Sequence, residues 1–451
     1  MLYAALTLAA GWLAWRLLRI AEVGAGYKAK VLGSALFISG RPLEAVLAED
    51  TGAEKYRVMR LFRAAVDEKA RSVTGSLLGL SARRAVFRPG MGVTLVSAKR
   101  PPRLEPSSLP EAAPLPPEDW PAGEPTVPVA GSERLSAVLA RSLTEPAPDK
   151  PRRTRAALVV QGGRLLGEAY APGYGPDSRL CGWSMTKCVM SALVGILVGE
   201  GRLSLKARAL LPEWRGQDDP RADITLEDLL RMRGGLAFSE VYSDPLSDVT
   251  RMLFTLDDAA GFAAAKPLRA PPGSCWAYSS GTTNIISRVV RGAFSSHGDY
   301  LAFPRRALFG PLGMSGAVME ADAAGDFVAS SFMYAAARDW ARFGLLYARD
   351  GVWDGRRVLP EGWVGFCRTP TPQSPDGRYG AHWWLRLSKD FGGEGEAAAR
   401  LPADAFHAQG HEGQVVTVVP SLDLVVVRLG MSIHADAWDH AAFLAEVLEA
   451  L

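Results

Sequence analysis

Ser184-Met185-Thr186-Lys187 is the only Ser-x-x-Lys in the chain. Residues three apart on a helix share a face, so this spacing lets the Lys187 amine reach the Ser184 hydroxyl. A serine alcohol is a weak nucleophile until a neighbour takes its proton. An ammonium cannot do that, and burial or nearby positive potential is what would lower the Lys187 pKa enough to leave it partly neutral. A serine that opens a helix also lies among free backbone N–H groups, which can stabilise a developing oxyanion. Taken alone, the motif is at least as well explained by a capping serine followed by a surface lysine.

Two later clusters offer complementary chemistry. Tyr278-Ser279-Ser280 follows Pro271-Pro272-Gly273, a turn-rich approach that presents short side chains on a constrained loop. A phenol of pKa ~10 can shuttle a proton where a lysine cation stabilises its anion, although a packed core tyrosine is the ordinary alternative. His411-Glu412-Gly413-Gln414 enters the strand-like run Gln414 to Val419, and Gly413 would let a substrate backbone approach closely. A plain turn before a strand reads the same. Trp183, Tyr242, Trp383 and Trp384 are candidate pocket walls with Tyr242 foremost, while large aromatics more often fill cores.

The elements that must position these residues are legible as periodicities. Arg155 to Gln161 and Arg164 to Tyr170 read as strands joined by Gly162-Gly163, a pair suited to a primed hairpin turn. From Ser184 to Glu200 apolar residues recur every three to four positions before Gly201, which predicts a buried helix. Thr225 and Asp228 form a capping-box signature for a second helix, halted by Gly234-Gly235. Gly413 to Val419 and Leu424 to Leu429 read as paired strands turning at Pro420-Ser421, and Ala437 to Leu451 as an amphipathic helix. Strands at both ends of the region with helices between them predict one sheet completed by both termini of the domain.

Upstream, Leu2 to Trp15 is apolar and uncharged, and Leu17 and Leu18 bring it near the ~20 residues of a spanning helix. Residues 1–20 are therefore expected to be a membrane anchor, with a buried N-terminal helix as the alternative. The expected location is the inner membrane with the body facing the periplasm, although Arg16 and Arg19 after the run read the other way under the positive-inside rule. Residues 21–100 form an N-terminal appendage with a helical stretch near Glu54 to Lys69 and β-like runs Ser72 to Leu80 and Ala85 to Leu95. Ten prolines between Pro101 and Pro128 mark a linker or wrapped arm over 101–130, leaving 131–451 as the main domain.

Composition narrows the function classes. With 51 basic against 48 acidic residues the net charge is only +3, which speaks against a nucleic-acid partner. The four cysteines are too scattered for a disulfide framework or a zinc site and read as small buried residues. His407 and His411 lack the acidic companion of a helical zinc motif, and no phosphate loop or dinucleotide fingerprint is present, so neither metal nor cofactor is expected.

Ser-x-x-Lys, then Tyr-x-Ser, then His-x-Gly before a strand is an order that resembles the serine β-lactamase and penicillin-binding protein superfamily over roughly Arg155 to Leu451. Within it the sequence looks most like class C β-lactamases, family VIII esterases and 6-aminohexanoate-dimer hydrolases. The resemblance implies an α/β (α+β) fold of the β-lactamase/transpeptidase type: an antiparallel sheet flanked by terminal helices plus a mostly helical subdomain. It further implies Ser184 as nucleophile, Lys187 as its activating partner and Tyr278 as proton shuttle. His411 and Gly413 take the place of Lys-Thr-Gly, and the amides of Ser184 and Gln414 that of the oxyanion hole. Phe332 to Arg342 looks like the helix these relatives carry late in the helical subdomain, and Tyr242 lies in a stretch resembling their mobile loop. Ser280 stands where lactamases have the Asn of Tyr-x-Asn and lacks its amide. His411 stands where they have Lys and is largely neutral at pH 7. Both departures turn the expectation from β-lactams towards small linear amides and esters cleaved by a membrane-tethered serine hydrolase of unassigned oligomeric state. A catalytically silent binding module for cell-wall peptides is the alternative.

Overall fold

The computed structural model describes residues 2–97, 120, 121, 123, 132–216 and 218–451. Its centre is a five-stranded antiparallel sheet in the order Phe406–Gly410, Gln414–Val419, Leu424–Gly430, Thr154–Gln161 and Arg164–Tyr170. The strands from the two ends of the region meet in the middle, with Val425 opposite Val160 and Val427 opposite Leu158. Side chains alternate between faces along a strand. Leu158, Val160, Val425 and Val427 enter the large core beneath helix Ala337–Ala348, whereas Ala157, Val159 and Val426 pack under helices Glu133–Ser142 and His440–Ala450. Helices on both faces explain why these strands are continuously apolar rather than alternating.

The hairpin at Gly162-Gly163 forms as predicted, with φ of +57° and +73° and Gln161 opposite Arg164. The Thr225–Asp228 capping box is present as well, although its helix, Leu226–Leu230, ends before the two glycines. Helix Thr186–Gly199 is buried on nearly every side, which suits a sequence apolar around its whole circumference.

Several boundaries differ from the sequence expectation. Glu54 to Lys69 is not one helix: Glu54–Leu61 is a 3₁₀ turn that passes directly into strand Phe62–Asp67. The two expected β-runs are three strands, Ser72–Leu77, Leu80–Arg88 and Gly92–Ser97, completing a four-stranded meander. Met333–Ala335 is a strand, so the helix expected over Phe332 to Arg342 begins only at Ala337, and it lies on the sheet rather than in the helical layer. Cys188 and Cys367 are buried, but Cys181 and Cys275 are partly exposed; all four are free thiols.

Helix Leu2–Phe37 leads into this body. Its second half is wedged between the meander and helix Asp248–Thr255, so closely that a Cβ at Gly26 would lie 1.8 Å from the Phe254 carbonyl oxygen of that helix and one at Gly75 on the meander 2.2 Å from that of Ala25. Beneath it, Glu320 accepts from Lys30 (2.6 Å), Ser34 (2.9 Å) and the Val93 amide (2.7 Å), all buried. The first half stands clear of the protein, exposing Leu8, Trp12, Trp15 and Leu17. By length and composition it is the one helix among the described residues apolar enough to cross a membrane. The proline-rich stretch lies outside the described residues except for three positions. Of these, Trp120 is buried under the Arg342 guanidinium (4.5 Å), which also donates to the carbonyls of Pro121 and Gly123 (3.0 and 2.9 Å).

Candidate active site

Trp183 precedes the candidate nucleophile with φ of +48°, a backbone conformation that costs a bulky residue on the order of 1 kcal/mol or more. Its ring is held edge-on to His411 (5.4 Å) and against Phe332 (6.1 Å). This bend leaves Ser184 partly exposed between buried Trp183 and Met185, in the 3₁₀ turn that opens helix Thr186–Gly199. One turn on, Lys187 is 1% exposed. Its Nζ lies 2.9 Å from Ser184 Oγ, 3.1 Å from Ser280 Oγ and 2.9 Å from the Ser330 carbonyl. An ammonium would donate to all three, whereas a neutral amine would donate to two and accept from the Ser184 hydroxyl. Burial pushes the Lys187 pKa down to about 8, with Glu240 pulling the other way.

Tyr278 comes from the loop before helix Ser280–Gly292, whose start is fixed by the Ser279 hydroxyl accepting from the Thr282 amide. The Lys187 Nζ sits 4.9 Å over the Tyr278 ring. Burial raises the phenol well above its usual range, opposed by hydrogen bonding with Ser184. Ser184, Lys187 and Tyr278, separated by up to 94 positions (278 − 184), thus meet at one point.

The remaining expected site residues divide. Tyr242, Trp384, His411 and Gly413 line a cleft of ≈ 240 Å³ above Ser184 and Tyr278. Tyr242 stacks on His411 at 4.8 Å and 15°, and Trp384 lies 5.5 Å from Tyr278. Burial holds the His411 pKa below its ordinary value, with Lys55 pressing in the same direction. Ser280 is fully buried and faces Lys187 instead of the cleft. The Gln414 side chain is committed to the fold, donating to the Gly430 carbonyl (2.7 Å) and accepting from its amide (2.9 Å). Gly413 has φ of +89°, and a Cβ there would meet Arg428 Nη1 at 2.2 Å, so the glycine makes room for a buried guanidinium. Trp383 is not a pocket wall: it is fully buried against Tyr347 (4.4 Å) and Phe406 (4.9 Å). Trp183 is likewise buried behind His411 rather than lining the cleft.

Three charged residues of the site carry no sequence motif. Glu240 receives the Ser280 amide at 2.8 Å and the Ser280 hydroxyl in a short hydrogen bond, completing a chain from Lys187 through Ser280 to a carboxylate. Burial raises its pKa while Lys187 lowers it. Its only advance signal was its place two residues before Tyr242 in the flagged loop. Lys55, from the N-terminal appendage, and Asp390 also line the cleft.

The beta-lactamase family model matches residues 139–439, and the chain belongs to this family. It is a serine hydrolase. Among curated relatives, the 6-aminohexanoate-dimer hydrolase of Paenarthrobacter ureafaciens is 27% identical over 340 residues, covering 68% of this chain and 80% of that protein. Among solved structures, a penicillin-binding protein homologue from Caulobacter crescentus superposes with a TM-score of 0.54 at 16% identity, over 71% of this chain and 99% of that one. A family VIII carboxylesterase gives 0.53 at 15% identity, over 70% and 97%. At such identities the structures establish the shared fold, with its antiparallel sheet and helical layer.

Proposed function

We propose that the protein cleaves small linear amides or esters through an acyl-enzyme on Ser184. The observation that carries this reading is the convergence of a buried lysine amine and a phenol on one partly exposed serine hydroxyl. In the neutral form, Lys187 takes the Ser184 proton as Oγ adds to the substrate carbonyl. The amides of Ser184 and Gln414 face the developing oxyanion. Collapse breaks the C–N or C–O bond, Tyr278 gives its proton to the leaving group, and the Lys187 ammonium restores the phenol. Water then attacks the ester by the same route and frees the acid. Supporting the substrate class, the 27%-identical relative bears the name of a linear amide hydrolase, and neutral His411 stands where lactamases place a cation.

We further propose that residues 1–20 anchor the protein in the inner membrane with the body in the periplasm. In this division 21–100 is an accessory unit, 101–130 a linker and 131–451 the catalytic domain. Residues 3–20, at 1.5 Å per residue, span about 27 Å, close to a bilayer's apolar thickness. The catalytic reading is tested with nitrophenyl esters and short anilides. Turnover should fall at least about a thousandfold in Lys187→Ala; turnover that survives this change overturns the assignment.

A further inference from the structure

The appendage does more than lead to the membrane: it supplies part of the wall of the cleft. The turn Glu54–Leu61 is tied to the body on both sides of Lys55. Glu54 accepts from Arg153 at 2.7 Å, and the Tyr56 hydroxyl donates to Glu412 at 2.7 Å, one residue beyond His411. The Lys55 amine donates to the Ile433 carbonyl at 3.1 Å, which uses one of its three N–H bonds and brings the ammonium to the rim of the cleft. Lys55 is the one lysine or arginine among the described residues lining the cleft, and it forms no ion pair there. Its charge is felt at His411. Of the acidic residues at the same rim, Glu412 is occupied by Tyr56, and Asp390 forms no ion pair.

The geometry points to Lys55 as a specificity-determining residue that binds an anionic group, a carboxylate, on the substrate near the scissile bond. It provides from outside the catalytic domain the positive charge that His411 withholds. The assignment rests on the acyl-enzyme reading of the cleft. Asp390, of opposite sign on the same rim, works against the same ligand. Lys55 is exposed, so an ammonium with two free donors there improves recognition of a carboxylate by about twofold to fivefold.

The experiment compares two nitrophenyl esters of similar length, a butyrate and a glutarate half-ester, on the full-length protein in detergent. The ratio of their kcat/KM values, glutarate over butyrate, is the readout. Lys55→Met should lower this ratio about twofold to fivefold, chiefly through KM, and Lys55→Arg should restore most of it, whereas Asp390→Asn should raise it. A ratio unchanged in Lys55→Met, or lowered by Asp390→Asn, overturns the assignment. Calorimetric binding of glutarate monoanilide to Ser184→Ala protein reads the same contact without turnover. There, equal affinity with and without Lys55→Met overturns the role of Lys55, while failure of the wild type to turn over either ester overturns only the acyl-enzyme reading.

Discussion

Replacing Glu240 by Gln tests the electrostatic setting of Lys187, the proposed base. Lys187 Nζ lies 3.1 Å from Ser280 Oγ, and that hydroxyl donates to Glu240. Lysine and carboxylate are therefore on the order of 5 Å apart, which at an effective dielectric of ~20 corresponds to about 3 kcal/mol, an upper bound near two pKa units. The carboxylate's charge is already shared with the Ser280 amide and hydroxyl, which reduces the effect to about one unit. Lys187 titrates near 8 in the intact protein, so the reactive neutral amine accumulates as pH rises through 8 and kcat/KM should rise with it. Removing the carboxylate removes a charge that favours the ammonium, so the acid limb should move down by about one unit. The assay is the pH profile of kcat/KM for a nitrophenyl ester, with Glu240→Asp as the control that keeps the charge. A limb that stays in place, or moves to higher pH, in Glu240→Gln refutes the coupling.

Other expectations follow from the same contacts. Tyr278→Phe should lower kcat by about a hundredfold to ten-thousandfold with little change in KM, measured on a substrate with a poor leaving group, where protonation matters most. Gly26→Val should destabilise the protein by about 2 kcal/mol or more, seen as a lower thermal midpoint, because its Cβ would collide with the Phe254 carbonyl. Deleting residues 1–19 should release the protein from membranes in a flotation assay while leaving its thermal unfolding midpoint unchanged, since that half of the helix makes little contact with the body.

The motif residues and the sheet were readable because each rests on short-range regularities. The glycine pair at 162–163 fixes a hairpin, and the spacing of Ser184 and Lys187 fixes their common helix face. Trp383 and Trp384 show where such reading stops. Adjacent residues in extended backbone point to opposite sides, and the bridge between Trp384 and His407 sends Trp384 to the cleft and Trp383 into the core. Nothing local distinguishes the two. Glu54 to Leu61 places apolar residues three apart, Tyr56 with Met59 and Val58 with Leu61, in a way that suits a helix, yet the turn is held by long-range pairing of Glu54 with Arg153 and Tyr56 with Glu412. Glu240 in a loop and Lys55 in a 3₁₀ turn are single charged residues, and only the assembled fold gives them partners.

The central claim is that Ser184 is the nucleophile. Intact mass spectrometry after reaction with an aryl phosphonate measures this most directly. The account expects one adduct per chain, mapped by digestion to the peptide containing Ser184, absent from Ser184→Ala and slowed strongly in Lys187→Ala. An adduct on another residue, or a folded wild-type protein that takes up none, would contradict it.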